Sequence, residues 1–392
     1  MYSLIFVNTS FFVQNIHKIG LNISKIVKST ELLLTRGLFN ANLTSEDRHQ
    51  MTDVMKQIKR SVFIMANIYY DNDADLGLVI DKTIAIIGYG NQGRSQALNM
   101  RDSGIKNVIV GSRHDESFDQ ANEDGFMVYS IAEAAKKADI IFLLLPDEVA
   151  PEIYEEQIAP NLEPGNVLNF ASGYNITFKR ITPAEGLDVV MAAPRMIGKG
   201  VRELYVSGEG SPAFVGVHQD ASGKALEYGK ALCKAIGATR KGAIEVTFDD
   251  ETCLDLMAEQ GTWPIIYNVF VEAFKLQVEM GHPEEAVLME MYLSKEPAVM
   301  MEKAAEVGFF RQLPYHSHTS QYGQLIGFND VDTSEIRSFL KNRYERIKGG
   351  AFAEEWDKEQ HENHLSTLEK LESDAFNSEF TKAEDRLKAR LK

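Results

Sequence analysis

The chain has 392 residues, 44% hydrophobic and 25% charged, the balance of an ordinary globular protein with ample length for a sizeable core. Its formal net charge of −16 and the lack of a basic stripe argue against a nucleic-acid partner. No run of 18 apolar residues occurs, so no membrane span is expected.

Residues 1–30 carry Lys18, Lys25 and Lys28 but no acid. Residues 1–64 read as an extension outside the folded part, with Met51 and Met65 as candidate starts. A mitochondrial transit peptide is the alternative, although such peptides favour Arg and none occurs before Arg36. The protein is therefore expected in the cytoplasm, or in the mitochondrion if this segment is a targeting peptide. Cys233 and Cys253 have no CxxC spacing and read as thiols within helices in a reducing compartment.

From Met65 the pattern becomes regular. Tyr69–Ile80 reads as a short strand and loop, and Lys82–Ile87 as a strand ending at Gly88. A helix over Asn91–Met100, a strand at Asn107–Val110, a helix over Ser117–Glu123 and a strand at Met127–Tyr129 follow. Ile131–Lys137 is a further helix, Ile140–Leu145 an apolar run stopped by Pro146, and Asn166–Phe170 and Asp188–Ala192 are strands. Alternating strands and helices, with continuous apolar strand runs, imply a doubly wound parallel α/β sheet covered on both faces. Near Ile244 the spacing changes. Leu254, Met257, Ile265, Val269, Phe274 and Val278 recur at helical intervals, and no strand is expected from Asp249 to Leu391. This gives two domains, 65–243 and an all-helical 244–392. The charged stretch Phe352–Lys392 reads as a solvated terminal helix.

Gly88-Tyr89-Gly90-Asn91-Gln92-Gly93 is G-x-G-x-x-G between a strand and a helix, the context in which that motif marks dinucleotide binding. Gly88 permits the turn, Gly90 lets backbone approach a pyrophosphate, and Gly93 allows close helix–strand packing. The helix N-terminus adds free N–H groups and partial positive charge. After the next strand, Gly111-Ser112-Arg113-His114-Asp115-Glu116-Ser117 contains both an Arg, which suits a 2′-phosphate, and acids, which suit a free 2′-hydroxyl. The acid pair tilts the reading toward NADH; if both acids face solvent, Arg113 decides for NADPH.

These residues, with Ile68–Gly77, Leu144–Glu148, Val217–Ala225, Glu251–Gln260 and Gln321–Gly323, resemble ketol-acid reductoisomerase of the short, class I type from about Met65 to about Gln360. The resemblance implies a Rossmann domain followed by a knotted helical domain that pairs with a second subunit, giving a homodimer or larger homo-oligomer. It implies alkyl migration in a 2-acetohydroxy acid such as 2-acetolactate and reduction by NADH or NADPH, a step of valine and isoleucine biosynthesis. It also implies two Mg²⁺ ions held by four carboxylates. The cofactor residues would be Gly88 to Gly93 with Arg113, Ser117, Asp147, Glu148 and Gly198.

Asp255 and Glu259 stand four apart, which on a helix places both carboxylates on one face as oxygen ligands for Mg²⁺. The later pair implied by the resemblance falls on Glu290 and Ser294, so one carboxylate is replaced by a hydroxyl. Two further departures cluster around the expected pocket. The family's Phe-Ala-His-Gly turn is Phe170-Ala171-Ser172-Gly173, and Ser172 cannot shuttle a proton as an imidazole can. The family's Ala-Pro-Lys-Gly-Pro-Gly is Ala193-Pro194-Arg195-Met196-Ile197-Gly198, which exchanges an ammonium for a fixed planar cation. Arg195, Glu259 and Ser172 occupy the implied catalytic positions, and Ser317 the serine that grips the substrate carboxylate. His316 and His318 beside it read as exposed loop histidines, the alternative being replacement acids or metal ligands. The expectation is a reductoisomerase with a remodelled site; the alternative is a 2-keto acid reductase on the same scaffold without isomerase activity.

Overall fold

The computed structural model describes residues 65–391, so the expectations for residues 1–64 lie outside the described residues. A nine-stranded sheet forms the first half. Its strands are β1 (Ile68–Tyr69), β2 (Thr83–Ile87), β3 (Asn107–Gly111), β4 (Met127–Tyr129), β5 (Ile140–Leu143), β6 (Val167–Phe170), β7 (Asp188–Pro194), β8 (Ala213–Gln219) and β9 (Ala243–Glu245). Spatial order is β1-β9-β8-β7-β6-β5-β2-β3-β4. The run from β4 to β7 is parallel throughout. Its order reverses between β2 and β5, and a doubly wound sheet binds ligands in the crevice at such a switch point. β8 joins β7 antiparallel, β9 follows β8 in parallel, and β1 closes the edge antiparallel to β9.

β-Branched residues dominate the parallel strands, and successive side chains feed opposite faces. Ile84, Ile86, Val110 and Phe142 enter one core with Leu232 and Cys233. Ala85, Ile87, Ile141 and Leu143 enter the other with Leu168 and Met191. Helices α1 (Asn91–Asp102), α2 (Glu116–Glu123), α3 (Ile131–Lys137), α4 (Ala150–Ile153), α5 (Tyr174–Thr177), α6 (Gly198–Ser207) and α7 (Ala225–Ala235) connect the strands. The expected strands and helices up to β7 appear within a residue or two. Expectation had not reached β8 or β9. Cys233 and Cys253 are both free thiols.

From Phe248 every regular element among the described residues is helical: α8 (Phe248–Met257), α9 (Trp263–Glu279), α10 (Glu284–Leu288), α11 (Glu296–Val307), α12 (His318–Asp330), α13 (Ser334–Lys348), α14 (Ala351–His361), α15 (Ser366–Phe376) and α16 (Glu379–Lys388). π-Turns at Ala258–Thr262 and Met289–Leu293 follow α8 and α10. Thr247 and Asp250 form a reciprocal capping box that fixes the start of α8. The terminal stretch corrects the expectation of one solvated helix. It is three helices, and the last buries Ala383 and Leu387 against Phe274, Val287 and Leu288. Arg386 adds a forked ion pair to Glu284 at 2.8 and 2.7 Å. Charge density concealed a two-sided helix whose apolar stripe is narrow. No helix among the described residues is long and apolar enough to cross a membrane.

Candidate active site

The residues singled out by sequence in the first half all follow carboxyl ends of parallel strands. Gly88 follows β2, Arg113 β3, Asp147 β5, Ser172 β6 and Arg195 β7. Gly88 has φ +94°, and a Cβ there would meet the Leu144 carbonyl oxygen at 2.7 Å. A Cβ on Gly93 would lie 2.0 Å from the Gly88 carbonyl oxygen, so α1 packs onto the turn that precedes it. At Gly90 a Cβ would meet nothing within 4 Å, leaving an open face beside the N-terminus of α1. Tyr89 is buried and its hydroxyl donates to Asp124 Oδ2 at 2.9 Å. Arg94 forks onto the same carboxylate at 2.6 and 3.0 Å. Gln92 donates to the Met196 carbonyl at 2.8 Å. A Cβ on Gly198 would fall 2.1 Å from the Asn91 carbonyl oxygen, so the Arg195–Gly198 turn lies directly on the glycine loop.

At the ribose end, Asp115 caps α2, accepting from the Ser117 and Phe118 amides at 3.1 and 3.3 Å. Its second oxygen is 3.7 Å from the exposed Arg113 guanidinium. Asp115 is thus already engaged in capping, whereas Arg113 projects into solvent; Ser117 lies in the first turn of α2.

The centre of the site is a cation between two acids. Arg195 Nη1 donates to Glu251 Oε1 at 2.7 Å, and Nη2 pairs with Asp255. The guanidinium lies 4.8 Å from the centroid of the Phe214 ring. The Arg195 amide is held by the Pro212 carbonyl at 2.8 Å. Glu251 is 1% exposed, and its other oxygen accepts from the Gly173 amide at 2.7 Å. Burial raises the Glu251 carboxyl above its ordinary range, and the Asp255 charge adds to that; the Gly173 amide and Arg195 oppose it. Glu251 was not among the expected site residues. It couples the Ser172–Gly173 turn to Arg195 and so to α8.

Gln92, Asp147, Phe170, Ser172 and Asn175 line a cleft of about 210 Å³ beside the glycine loop. The Ser172 hydroxyl accepts from the Tyr174 amide at 3.3 Å. Asn175 donates to the Asp147 carbonyl and carboxylate, each at 3.2 Å. Glu148 is exposed and opens onto a neighbouring cleft with Asp147 and Arg180. Burial, then the negative charges of Glu251, Glu148, Asp255 and Glu259, push the Asp147 carboxyl up to about 7 from 3.8. A raised carboxyl favours the fold at low pH, and that contribution is lost as pH rises through about 7. With a chelator present, stability should therefore fall by about 1–2 kcal/mol between pH 5 and pH 8, after allowance for solvent screening. In Asp147→Asn the fall should shrink, leaving what Glu251 and Glu259, both also raised, contribute. Equal pH dependence of melting in the two proteins would refute this assignment.

Two family models match the chain. One describes the NADPH-binding domain of acetohydroxy acid isomeroreductase and covers residues 78–242; the other describes the C-terminal domain of ketol-acid reductoisomerase and covers residues 248–392. The chain belongs to the ketol-acid reductoisomerase family. Among its relatives, the putative ketol-acid reductoisomerase 3 of Saccharolobus solfataricus is 46% identical over 320 residues, 80% of this chain and 95% of that protein. The NADP(+) ketol-acid reductoisomerase of Pyrobaculum calidifontis is 44% identical, over 75% of this chain and 90% of that protein. An NADH-preferring ketol-acid reductoisomerase from an uncultured archean superposes with TM-score 0.78 at 35% identity, covering 83% of this chain and 99% of that one. The protein is accordingly an oxidoreductase of the family that acts with NAD(P)H in branched-chain amino acid biosynthesis.

Among the described residues of one chain, the metal arrangement implied by the ketol-acid reductoisomerase resemblance is not brought together. Among the described residues, no three of His, Cys, Asp or Glu are grouped to hold an ion. Asp255 is half-buried and tied to Arg195, while Glu259 is exposed on the π-turn that continues α8. Glu290 is exposed on the other π-turn, and the Ser294 hydroxyl accepts from the Glu296 amide at 3.3 Å. Ser317 is exposed and caps α12, accepting from the Ser320 amide at 3.3 Å. His316 meets Gln312 at 3.0 Å, and His318 is the exposed first residue of α12. Asp255 and Glu259 offer two carboxylates to a hard cation, and a hydroxyl, Ser294, stands where a further carboxylate is implied.

Proposed function

We propose that this protein rearranges and reduces a 2-acetohydroxy acid, 2-acetolactate being the simplest candidate. The observation that carries the reading is the junction of Arg195 and Asp255 beside the glycine loop. A fixed cation and an acidic helix beside the Gly88–Gly93 turn support a site where a dinucleotide and an anionic substrate meet. Asp255 and Glu259 would hold a Mg²⁺ ion, which supplies Lewis acidity, and the reduced nicotinamide supplies hydride. Gly90 and the α1 N-terminus receive the pyrophosphate. Arg195 steadies the alkoxide oxygen that develops in the shift, and Ser172 offers a hydroxyl to a bound oxygen atom. Arg113 and Ser117 accommodate a 2′-phosphate, which favours NADPH over the NADH suggested by the Asp115-Glu116 pair.

A second copy of the chain completes the site in this reading. Tyr267, Val269, Met280, Tyr322 and Phe328 are exposed on the helical half. That much apolar surface suits an obligate homodimer. Glu290 and Ser317 would then reach a neighbouring Asp255 and Glu259 across the interface. Two free thiols, with Cys233 fully buried, suit a reducing compartment such as the cytoplasm.

The test is cofactor oxidation with racemic 2-acetolactate and Mg²⁺, using NADH and NADPH in parallel. Turnover that a chelator abolishes, faster with NADPH, is expected. Reduction of 3-hydroxy-3-methyl-2-ketobutyrate without any turnover of 2-acetolactate would replace this reading with a plain reductase, for which Ser172 and Ser294 are the motivating departures.

A further inference from the structure

Two chain-specific features of the site act in the same direction. The first is Arg195. Its fork binds Glu251 at 2.7 Å and also Asp255, so one of the two acids that would ligate metal is already matched by a protein cation. That cation is fixed from three sides: the two acids, the Phe214 ring at 4.8 Å, and the Pro212 carbonyl on its own amide at 2.8 Å. Glu251, at 1% exposure, is a buried carboxyl that such a counter-charge stabilises when ionised. A guanidinium stays protonated, so the positive charge does not leave.

The second feature is Ser294. A hydroxyl stands where the resemblance implies a carboxylate, and its oxygen already accepts from the Glu296 amide at 3.3 Å. Hard divalent cations bind anionic oxygen ligands more tightly than neutral ones, and a neutral, engaged hydroxyl contributes less than a carboxylate. A second divalent ion would thus lose one anionic ligand and face a guanidinium on another.

We propose that the Arg195 guanidinium takes the place of the second divalent cation, so that each active site holds one ion. The inference rests on the family reading of the site given above. The Arg195 guanidinium offsets one of the two negative charges of Glu251 and Asp255 from within the chain, and the one remaining ion is held by Asp255 and Glu259.

The test counts ions rather than turnover. Full-length protein, stripped with a chelator and saturated with NADPH, is titrated with Mn²⁺ while free Mn²⁺ is read by electron paramagnetic resonance. One Mn²⁺ per chain is expected, with no spin–spin coupling between ions. Two per chain, or none, would overturn the proposal. Arg195→Met should take up a second Mn²⁺, and its melting temperature should rise more with Mn²⁺ than that of the unaltered protein. A count that stays at one in this variant removes the role given to Arg195. If Arg195→Met does not fold, Ser294→Glu decides, because residue 294 is exposed. With Arg195 in place the count should remain one, and a rise to two would show that the missing carboxylate alone sets the number. Turnover of 2-acetolactate is measured separately. One bound Mn²⁺ without turnover would sink the functional reading and leave the ion count standing.

Discussion

Arg195→Met should lower stability by about 3–5 kcal/mol, the cost of removing one partner from a buried ion pair. The methionine keeps much of the volume over Phe214, so packing loss is a minor part. What remains is Glu251, 1% exposed, beside Asp255 without their shared cation. Glu251 is already raised by burial and by Asp255; without Arg195 it rises further. A carboxyl whose folded pKa is raised favours the fold below that pKa and disfavours it above. The variant should therefore recover part of its stability as pH is lowered from 8 to 5, more steeply than the parent. Turnover should fall at least about 100-fold, since a preorganised donor to developing charge is lost. Arg195→Lys should fall between the two, because an ammonium cannot fork onto both acids in one plane. Denaturant unfolding across pH, with chelator present, reads these effects. An Arg195→Met protein as stable as its parent at pH 8 would show that Glu251 finds its counter-charge elsewhere.

The legibility of this site in the sequence follows the range of the interactions that build it. The glycine loop was readable because its constraints are local: Gly88, Gly90 and Gly93 serve one turn within six residues. Arg195 and Asp255 were found separately, but their contact spans 60 positions and no periodicity announces it. Glu251 was missed because Asp249, Asp250 and Glu251 together look like an acidic first helical turn, favourable for the helix dipole and indifferent to burial. Tertiary structure singles it out. A Cβ on Gly173 would meet the Phe248 carbonyl at 2.4 Å and Glu251 at 3.1 Å, so the chain approaches α8 closely there and seals that one acid. The glycine after Ser172 was the available signal. Asp255 and Glu259 read as an i, i+4 pair, and the second acid lies in a π-turn that begins at Ala258, which no local spacing announces. The terminal helices were misread for a related reason. Ala383 and Leu387 form a stripe too narrow to stand out among charges.

Two of the three loop glycines should separate cofactor binding from folding. Gly90→Ala places its methyl where nothing lies within 4 Å, so the fold should be unaffected and the melting temperature should stay within about 2 °C of the parent. The same methyl stands where backbone must approach a pyrophosphate, so NADPH affinity should drop at least about 100-fold. Gly93→Ala is the opposite case. Its methyl would lie 2.0 Å from the Gly88 carbonyl oxygen, backbone against backbone, with no flexible side chain to move aside. The turn or the helix must shift, and overpacking of this kind costs about 1–3 kcal/mol or more. Gly93→Ala should therefore lose both stability and cofactor affinity, whereas Gly90→Ala should lose affinity alone. Quenching of intrinsic fluorescence by NADPH, set beside thermal melting, measures the two quantities independently. The discriminating result is the Gly90→Ala protein: unchanged affinity there would mean the dinucleotide does not cross the open face at the start of α1, and the loop would be a structural turn only.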